Sequence, residues 1–330
     1  MMEKTEDEII QNWKSRQKPL LSCCFITYNH EKFISQAIDG MLKQETDFPF
    51  EIIIHDDAST DGTAEIIKKY ADKYPHIIQT ILQKENQYSQ KKNIMAIPIK
   101  EARGQYIATL EGDDYWTDPL KLQKQVDFLE KNSEYVCCYH NSMVINDNNE
   151  IVQDVLFHNP KDYSEKELLS ASADMATETV VFRNIIEYPD FFKGVPIGDT
   201  VRWHLMGFYG KAKYLDNVGK SVYRRHEGGV WTRLSYLNKF EKNIFASLRI
   251  KENLIINHLP VDDFNRYFNQ YIARTLTKAL FDMKFLTYWK MLTIIITNND
   301  LPFFTIFKIH LEGTGHKIIR KISNITQKYL

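Results

Sequence analysis

The sequence predicts an α/β protein with a mainly parallel central sheet and a helical C-terminal region. Between residues 20 and 140, short apolar runs alternate with stretches whose apolar residues recur at helical spacing, a pattern typical of βαβ units. Beyond Trp231 the pattern is almost wholly helical, with breaks at Pro260 and Pro302. Hydrophobic residues make up 43% of the 330, so the chain can bury a large core.

Four buried strands are predicted in the first half of the chain. They are LLSCCFIT (20–27), EIIIH (51–55), IIQTIL (77–82) and QYIATL (105–110). Asp118 precedes Pro119 as an N-cap precedes a first-turn proline, so we expect the helix after the fourth strand to begin there. Because parallel strands end at the same edge of a sheet, the loops after strands one, two and four are expected to converge.

The second half of the predicted domain is α+β. Its strands are expected at 135–140, 143–146, 179–183, 212–216 and 221–225, with helices from 164–167 and over 200–208. We therefore predict an N-terminal helical arm (1–18), a main domain (19–232) divided at residue 140 into 19–140 and 141–232, and a helical region (233–330).

Composition excludes some classes of partner. The 42 Lys and Arg residues balance 43 Asp and Glu residues, so no nucleic-acid partner is expected. Two adjacent cysteine pairs, Cys23-Cys24 and Cys137-Cys138, lie inside apolar runs and are predicted to be buried, reduced thiols. The charged N-terminus lacks the apolar segment of a signal peptide, and no run of about 18 apolar residues could span a bilayer. We expect a cytoplasmic protein.

Polar motifs follow three of the predicted strands. They are TYNH (27–30), DDASTDGT (56–63) and EGDD (111–114). By itself the second motif is equally well explained as a turn that caps the next helix. Two groups of acids at one sheet edge nevertheless favour a cation site, since Mg²⁺ and Mn²⁺ bind carboxylates and complete their shell with water and phosphate oxygens. The expected ligand is a metal-bound diphosphate.

Three segments resemble the family 2 glycosyltransferases, especially bacterial members that build surface polysaccharides. The segments are SCCFITYNHEKFISQAIDGMLKQ, IIIHDDASTDGT and ARGQYIATLEGDDYWTDPLKLQKQVDFLE, and the resemblance covers residues 19 to about 232. It implies a GT-A fold with a Rossmann-like sheet, a nucleotide-diphospho-sugar donor such as a UDP-sugar, Mn²⁺ or Mg²⁺, and inversion at the anomeric carbon. In these terms 19–140 is the nucleotide-sugar-binding half and 141–232 the acceptor-binding half.

The resemblance also implies roles for residues of the donor half. Thr27, Tyr28 and Asn29 would line the nucleotide pocket, Asp57 would read the base, and Asp56 would support the end of the strand. The family's DxD motif corresponds to Glu111-Gly112-Asp113 in this chain. Asp113 would bind the metal with Asp114 beside it, whereas Glu111 replaces the usual first Asp.

In the acceptor half, the resemblance assigns Asp199 as the base that activates the acceptor hydroxyl. The alternative is that Asp199 only caps the following helix, and Gly198 replaces the Glu that the family usually has there. YRRHEGGVW (223–231) resembles the segment that closes over the diphosphate. His226 and one of the two arginines, for which we choose Arg225, would stabilise the charge of the leaving group.

Two further residues are candidates for acceptor binding. Trp116, beside the acidic loop, could stack on a sugar, and His140 ends the strand on the acceptor side. The alternative for Trp116 is that it packs beneath the loop as part of the core.

The C-terminal region leaves two interpretations open. Apolar stretches in 286–311 precede a basic segment that includes Lys317 and Arg320. The region could rest on the inner face of the plasma membrane, where a lipid-linked acceptor would lie, or it could pack onto the main domain or a second subunit.

The leading hypothesis is a metal-dependent inverting glycosyltransferase of the hexosyl- or N-acetylhexosaminyltransferase class. The acceptor would be a glycan or lipid-linked saccharide of a capsule, O-antigen or exopolysaccharide. A nucleotidyltransferase is the enzymatic alternative, although TYNHEKF lacks the glycines of a triphosphate loop. A nucleotide-sugar-binding scaffold without turnover is the non-enzymatic alternative.

Overall fold

The structure is a computed structural model that describes residues 4–14, 18–195, 198–282 and 285–297. The chain divides into two compact units. The first comprises Met1–Leu169 and Ala173–Thr232, and the second comprises Ser170–Ser172 and the chain from Arg233 onward.

The first unit is built on a seven-stranded sheet in the order β3-β2-β1-β4-β8-β5-β9. Its strands are β1 (Leu21–Thr27), β2 (Phe50–Asp56), β3 (Ile78–Leu82), β4 (Tyr106–Glu111), β5 (Tyr135–Tyr139), β8 (Val181–Arg183) and β9 (Lys211–Tyr214). Strand β1 pairs in parallel with β2 and β4, and β2 pairs in parallel with β3. Strand β8 lies antiparallel between β4 and β5. The predicted α/β class with a mainly parallel sheet is confirmed.

A second sheet of three strands has the order β10-β6-β7. Its strands are β6 (Ser142–Ile145), β7 (Ile151–Gln153) and β10 (Ser221–Arg224). A bridge between Tyr115 and Val222 joins β10 to the loop that follows β4. The end of β10 is thereby held against the acidic loop.

Helices cover the central sheet. Those of the first unit are α1 (Glu6–Ile10), α2 (Ile34–Leu42), α3 (Thr63–Lys73), α4 (Ala96–Glu101), α5 (Lys121–Lys131), α6 (Glu165–Leu169) and α7 (Gly198–Met206). Side chains of strand β1 pack on both faces of the sheet, because Cys23 and Phe25 belong to one apolar cluster and Cys24 and Ile26 belong to another. All four cysteines are buried free thiols, as predicted.

Helix α5 begins two residues later than the Asp118-Pro119 pair predicts. The Asp118 carboxylate accepts hydrogen bonds from the backbone N–H groups of Leu120 (2.9 Å) and Gly219 (2.8 Å), and it pairs with Lys124 at 2.8 Å. Asp118 therefore fixes the turn before the helix and ties it to the loop before β10. The position of β8 within the central sheet was also not predicted.

The second unit is helical. Helix α8 (Val230–Arg233) ends at the first residue of its main segment. Helices α9 (Tyr236–Ile256), α10 (Asp262–Phe281) and α11 (Phe285–Thr297) follow. The Ser235 side chain caps α9 by accepting from the backbone N–H of Asn238. In the part of the chain that the structure describes, every helix is too short or too polar to cross a bilayer. The basic segment with Lys317 and Arg320 lies outside the described residues.

Candidate active site

The polar motifs after β1, β2 and β4 meet at one edge of the sheet. Thr27 is the register partner of Asp56, and Ile26 is the partner of Glu111. The three strands are parallel neighbours, so their carboxyl ends deliver these side chains to the same crevice. The convergence expected from the strand order is present.

Asp113 lies at the centre of the crevice. Its Oδ2 atom is 2.9 Å from Nε2 of His226 and 3.9 Å from Nε2 of His30. Its Oδ1 atom is buried and has no hydrogen-bond partner. A buried carboxylate oxygen without a donor is costly, so this atom is suited to a ligand that brings positive charge.

Two further acids crowd around Asp113, of which Asp114 is buried and Glu111 is partly buried. Burial, followed by the charges of Asp113 and Asp199, raises the pKa of Glu111 to about 8. Burial and the charge of Asp113 raise the pKa of Asp114 well above its ordinary value. Burial opposes ionisation of Asp113 as well, but the hydrogen bond with His226 and the nearby His30 outweigh it and lower its pKa. Negative charge is thus concentrated on Asp113.

The residues present fit a divalent cation. Ligand atoms of His30, Asp113 and His226 all lie within 4.8 Å of one another, and the same holds for Glu111, Asp113 and Asp114. Carboxylates and imidazoles are ligands of Mn²⁺ and related ions, and the unpartnered Asp113 Oδ1 gives such an ion an available donor atom.

Arg224 and Arg225, neighbours at the end of β10, differ in their surroundings. Arg224 is buried; its backbone N–H donates to Asp114 Oδ1 (2.8 Å) and its Nε donates to the backbone oxygen of Asp113 (3.0 Å). Its Nη2 also donates to Gln36 (2.8 Å). Arg225 is exposed, with its guanidinium over the Tyr223 ring. Arg224 therefore holds the acidic loop, and Arg225 is the arginine that a ligand can reach.

Thr27, Tyr28 and Asn29 form the turn after β1. Tyr28 is 42% exposed, so its ring is available for stacking. Asn29 has a positive φ of 56°, and its side-chain oxygen accepts from the backbone N–H of Thr60 at 2.7 Å. Asn29 thereby links the first motif to the second, and Thr27 contacts His30 through Oγ1 and Nδ1 at 3.2 Å.

Asp56 and Asp57 are both buried, and both bind backbone groups. Asp56 accepts from the backbone N–H of Ser59 at 3.2 Å and from the Ser59 hydroxyl. The two oxygens of Asp57 accept from the backbone N–H groups of Gln87 (2.7 Å) and Tyr88 (3.0 Å). Asp57 thus anchors the loop after β3.

Gly112 is required by close packing. A Cβ atom at this position would lie 2.4 Å from Thr27 Oγ1 and 2.6 Å from His30 Nδ1. The residue between Glu111 and Asp113 must therefore be glycine for the Thr27–His30 pair to sit beside the metal-binding candidates.

Asp199 lies in the first turn of α7 and is partly exposed. Its Oδ1 accepts from the backbone N–H of Thr200 at 2.7 Å. Its charge contributes to the raised pKa of Glu111, which places the two carboxylates within electrostatic range. Asp199 lies within the first turn of α7 and not before it, so it is not the N-cap residue of this helix, and its role as the base stays a prediction.

Trp116 and His140 require a correction. Trp116 is 3% exposed, belongs to the core and donates its indole N–H to the backbone oxygen of Glu178 at 2.7 Å. His140 is fully buried, with Nε2 2.8 Å from the Ser221 hydroxyl. Neither side chain offers a surface to an acceptor, because Trp116 packs into the core and His140 is enclosed beside Ser221.

Sequence reasoning missed two residues near the site. The TYNH motif did not by itself assign a role to His30. An imidazole in the turn after β1, close to the acidic loop, was the signal that could have indicated a metal ligand. Arg202, three residues after Asp199 on α7, is buried and donates from Nε to the Tyr188 hydroxyl at 2.7 Å. Its Nη1 has no hydrogen-bond partner. The helical spacing alone did not show which side of α7 faces inward.

The comparison with known families is decisive. The family model described as Glycosyl transferase family 2 matches residues 22–186, half of the chain. The chain belongs to glycosyl transferase family 2. An uncharacterized protein of Mycobacterium tuberculosis is 38% identical to this family 2 chain over 64% of it and 60% of the relative. The Escherichia coli protein named UDP-Glc:alpha-D-GlcNAc-diphosphoundecaprenol beta-1,3-glucosyltransferase WfaP is 28% identical over 70% of this chain and 88% of its own.

Among solved structures, residues 1–349 of S. aureus TarS, in complex with UDP-GlcNAc, align with a TM-score of 0.54 and 18% identity. The alignment covers 80% of this chain and 72% of that one. The likeness shows the fold, which is the GT-A fold that the resemblance implied. The chain spans 60% of the length of the mycobacterial relatives that it matches.

Proposed function

We propose that this family 2 protein is a metal-dependent inverting glycosyltransferase that uses a nucleotide-diphospho-sugar donor. The observation that carries the proposal is the buried, unpartnered Asp113 Oδ1 beside His226 at the carboxyl edge of a parallel sheet. This arrangement offers one concentrated negative charge where a cation and a diphosphate can meet.

The donor is assigned to residues 19–140 and the acceptor to residues 141–232. Thr27, Tyr28 and Asn29 line the nucleotide pocket. Asp57 reads the base while it holds the loop after β3, and Asp56 supports the turn after β2. The exposed Tyr28 ring supports stacking on a base. UDP is the proposed nucleotide, and a hexose or N-acetylhexosamine the proposed sugar, because the names of WfaP and of the TarS complex contain UDP-Glc and UDP-GlcNAc.

Asp113 and His226 would hold Mn²⁺ or Mg²⁺, with Asp114 beside them and Glu111 and Gly112 completing the loop. When bound, the cation neutralises charge that develops on the departing diphosphate. Arg225 is exposed at the end of β10 and adds a guanidinium for the same oxygens. Arg224 keeps Asp113 and Asp114 in position through one hydrogen bond to each. A further hydrogen bond to Gln36 fixes the guanidinium itself.

Asp199 is proposed as the base. Inversion requires the acceptor hydroxyl to attack from the face opposite the leaving group, and a carboxylate there accepts the hydroxyl proton. Two observations support this proposal: the Asp199 carboxylate accepts from the backbone N–H of Thr200, and its charge contributes to the raised pKa of Glu111 in the acidic loop.

The proposed acceptor is a saccharide or lipid-linked saccharide of a bacterial surface polysaccharide. The name of the E. coli relative contains a diphosphoundecaprenol-linked sugar, which supports a lipid-linked acceptor. On this proposal the enzyme works in the cytoplasm, at the inner face of the plasma membrane. Contact with the membrane or with a second copy of the chain would be made by the region after residue 232.

The test is transfer from a panel of nucleotide sugars to lipid-linked and free saccharides in Mn²⁺. Asp199→Asn should lower kcat/KM at least about 100-fold, which is typical when a general base is lost. Asp113→Asn should lower it by a similar factor, because the cation that neutralises the leaving group loses its carboxylate ligand. Asp127→Asn on α5 and Asp190→Asn before α7 alter exposed carboxylates and are the matched controls. If both site variants transferred sugar like the controls, the proposal would fail. Donor binding without turnover would indicate the scaffold alternative.

A further inference from the structure

We propose that His30 is a third protein ligand of the cation, so that two imidazoles and one carboxylate bind it. The inference rests on the cation site of the proposed function and adds a residue to it. Nothing in the DxD pattern or in the segment from 223 to 231 points to His30, which reaches the site from the turn after β1.

The distances support coordination rather than hydrogen bonding for His30. The 3.9 Å between its Nε2 and Asp113 Oδ2 is too long for a hydrogen bond. Two ligand atoms that each lie about 2.1 Å from one ion are between about 3.0 and 4.2 Å apart. The 3.9 Å separation of Asp113 Oδ2 from His30 Nε2 lies within this range. The 2.9 Å separation from His226 Nε2 lies just below it and is a hydrogen bond that a bound ion would replace.

The His30 ring is oriented by its neighbours. Its Nδ1 lies 3.2 Å from Thr27 Oγ1, so a proton on Nδ1 can be donated to this hydroxyl and leaves the Nε2 lone pair facing Asp113. Metal-bound histidines commonly fix their second nitrogen in this way. Gly112 admits the pair, since a Cβ atom there would overlap both partners.

The backbone and the second imidazole are held on the same side of Asp113. The backbone N–H of His30 donates to Thr63 Oγ1 at 2.9 Å, and its carbonyl accepts from Ile34 at the start of α2. The rings of His30 and His226 are 5.8 Å apart, and both contact the Phe33 ring. The two imidazoles therefore reach Asp113 from elements that are themselves well fixed.

A site with two imidazoles has a different metal preference from one built on carboxylates alone. Imidazole suits transition-metal ions such as Fe²⁺ and Zn²⁺, and the affinity of nitrogen and oxygen sites for these ions rises from Mn²⁺ to Co²⁺ and beyond, whereas Mg²⁺ prefers carboxylate, carbonyl and water oxygens. We therefore expect the chain to bind Mn²⁺ and Co²⁺ at least about tenfold more tightly than Mg²⁺. His30→Gln should reduce this preference.

The direct test is pulsed electron paramagnetic resonance of Mn²⁺ bound to the full chain, with and without UDP, because it detects nitrogen atoms bonded to the ion. Wild type should show two nitrogen ligands, and His30→Gln and His226→Gln one each. His158→Gln, which alters an exposed histidine, is the control and should keep two. Wild-type Mn²⁺ with one or no nitrogen ligand, or an unchanged count in His30→Gln, would overturn the inference.

A second variant covers the case in which His30→Gln fails to fold. Thr27→Val keeps the shape of the side chain but removes the hydroxyl that orients Nδ1. It should weaken Mn²⁺ binding about 10- to 100-fold, as other changes to residues that orient metal ligands do. Unchanged Mn²⁺ affinity would contradict the role of Thr27. If Mn²⁺ had two nitrogen ligands but the protein transferred no sugar, the proposed function would fail and this inference would stand. If the protein transferred sugar with only one nitrogen ligand on Mn²⁺, this inference would fail and the proposed function would stand.

Discussion

His226 Nε2 lies 2.9 Å from Asp113 Oδ2, although 113 residues separate the two in sequence. The contact exists because β10 is joined to the loop after β4 by the Tyr115–Val222 bridge. Burial raises the pKa of Asp113, but the hydrogen bond with His226 outweighs it and lowers this pKa, so Asp113 remains ionised among buried acids. The second sheet thus positions His226 to hold Asp113 ionised at the centre of the proposed site.

The two arginines at the end of β10 should have separable effects. Arg224→Leu removes a buried guanidinium with hydrogen bonds to Asp113, Asn149 and Gln36, so we expect a loss of about 3 kcal/mol in the free energy of unfolding. Arg225→Leu should change it by less than about 0.5 kcal/mol and should instead lower kcat/KM for the donor. Urea unfolding and donor kinetics on both variants measure this contrast. Equal stability of the two variants would contradict the structural role of Arg224.

Gly112→Ala should disturb the cation site through packing. The added Cβ atom would approach Thr27 Oγ1 and His30 Nδ1 to 2.4 and 2.6 Å, so these side chains must move. Overpacking of this kind costs about 1–3 kcal/mol. We expect a lower melting temperature together with weaker Mn²⁺ binding, measured by calorimetry. Wild-type Mn²⁺ affinity in a folded Gly112→Ala protein would show that the Thr27–His30 pair is not needed at the site.

Lys121 provides a prediction of pH dependence away from the site. Burial lowers its pKa to about 7, its Nζ has no hydrogen-bond partner, and it lies 4.2 Å from the Trp116 ring centroid. Between pH 7 and about 10 the unfolded chain holds this proton and the folded chain does not. Stability should therefore rise with pH in this window, by at most about 1.4 kcal/mol per pH unit.

Lys121→Met isolates this contribution. The wild type should gain about 2 kcal/mol relative to the variant between pH 7.5 and 9.5, and the variant should be the more stable protein at pH 7.5. Lys131→Met at the exposed end of α5 is the control and should follow the wild type. Parallel stability curves for wild type and Lys121→Met in denaturant titrations would contradict the depressed pKa.

Ligand-induced stabilisation should distinguish the donor class. In Mn²⁺, UDP at 100 times its dissociation constant should stabilise the protein by about 2.7 kcal/mol. Asp113→Asn should lose the part of this effect that depends on the metal. Thermal shift with UDP, UDP-sugars and UTP measures the preference. Stronger stabilisation by the triphosphate would favour the nucleotidyltransferase alternative.

The strand order and the acidic loop could be predicted from sequence because both depend on local patterns. Apolar runs marked β1, β2 and β4, and parallel pairing then required Asp56 and Glu111 to share an edge. The antiparallel β8 is only three residues long, and its place between β4 and β5 depends on pairing that no local pattern encodes. The start of α5 differed because Asp118 also binds Gly219, about 100 residues away.

Side-chain direction was the harder part. An aromatic residue beside a polar loop can face a ligand or the core, and the bond from Trp116 to Glu178 turns it inward. The two arginines have the same chemistry, but Arg224 is buried where it bonds to Asp113, Asn149 and Gln36, whereas Arg225 is exposed. His30 could not be assigned to the site from sequence, because Asp113 and His226 come close to it only in the folded chain.

The central claim, metal-dependent sugar transfer with inversion, is tested most directly by following the anomeric proton of the transferred sugar by NMR. With an α-linked UDP-sugar, Mn²⁺ and a saccharide acceptor, we expect a β-linked product from the wild type. We expect Asp199→Asn to bind UDP without forming product. An α-linked product, or undiminished transfer by Asp199→Asn, would contradict it.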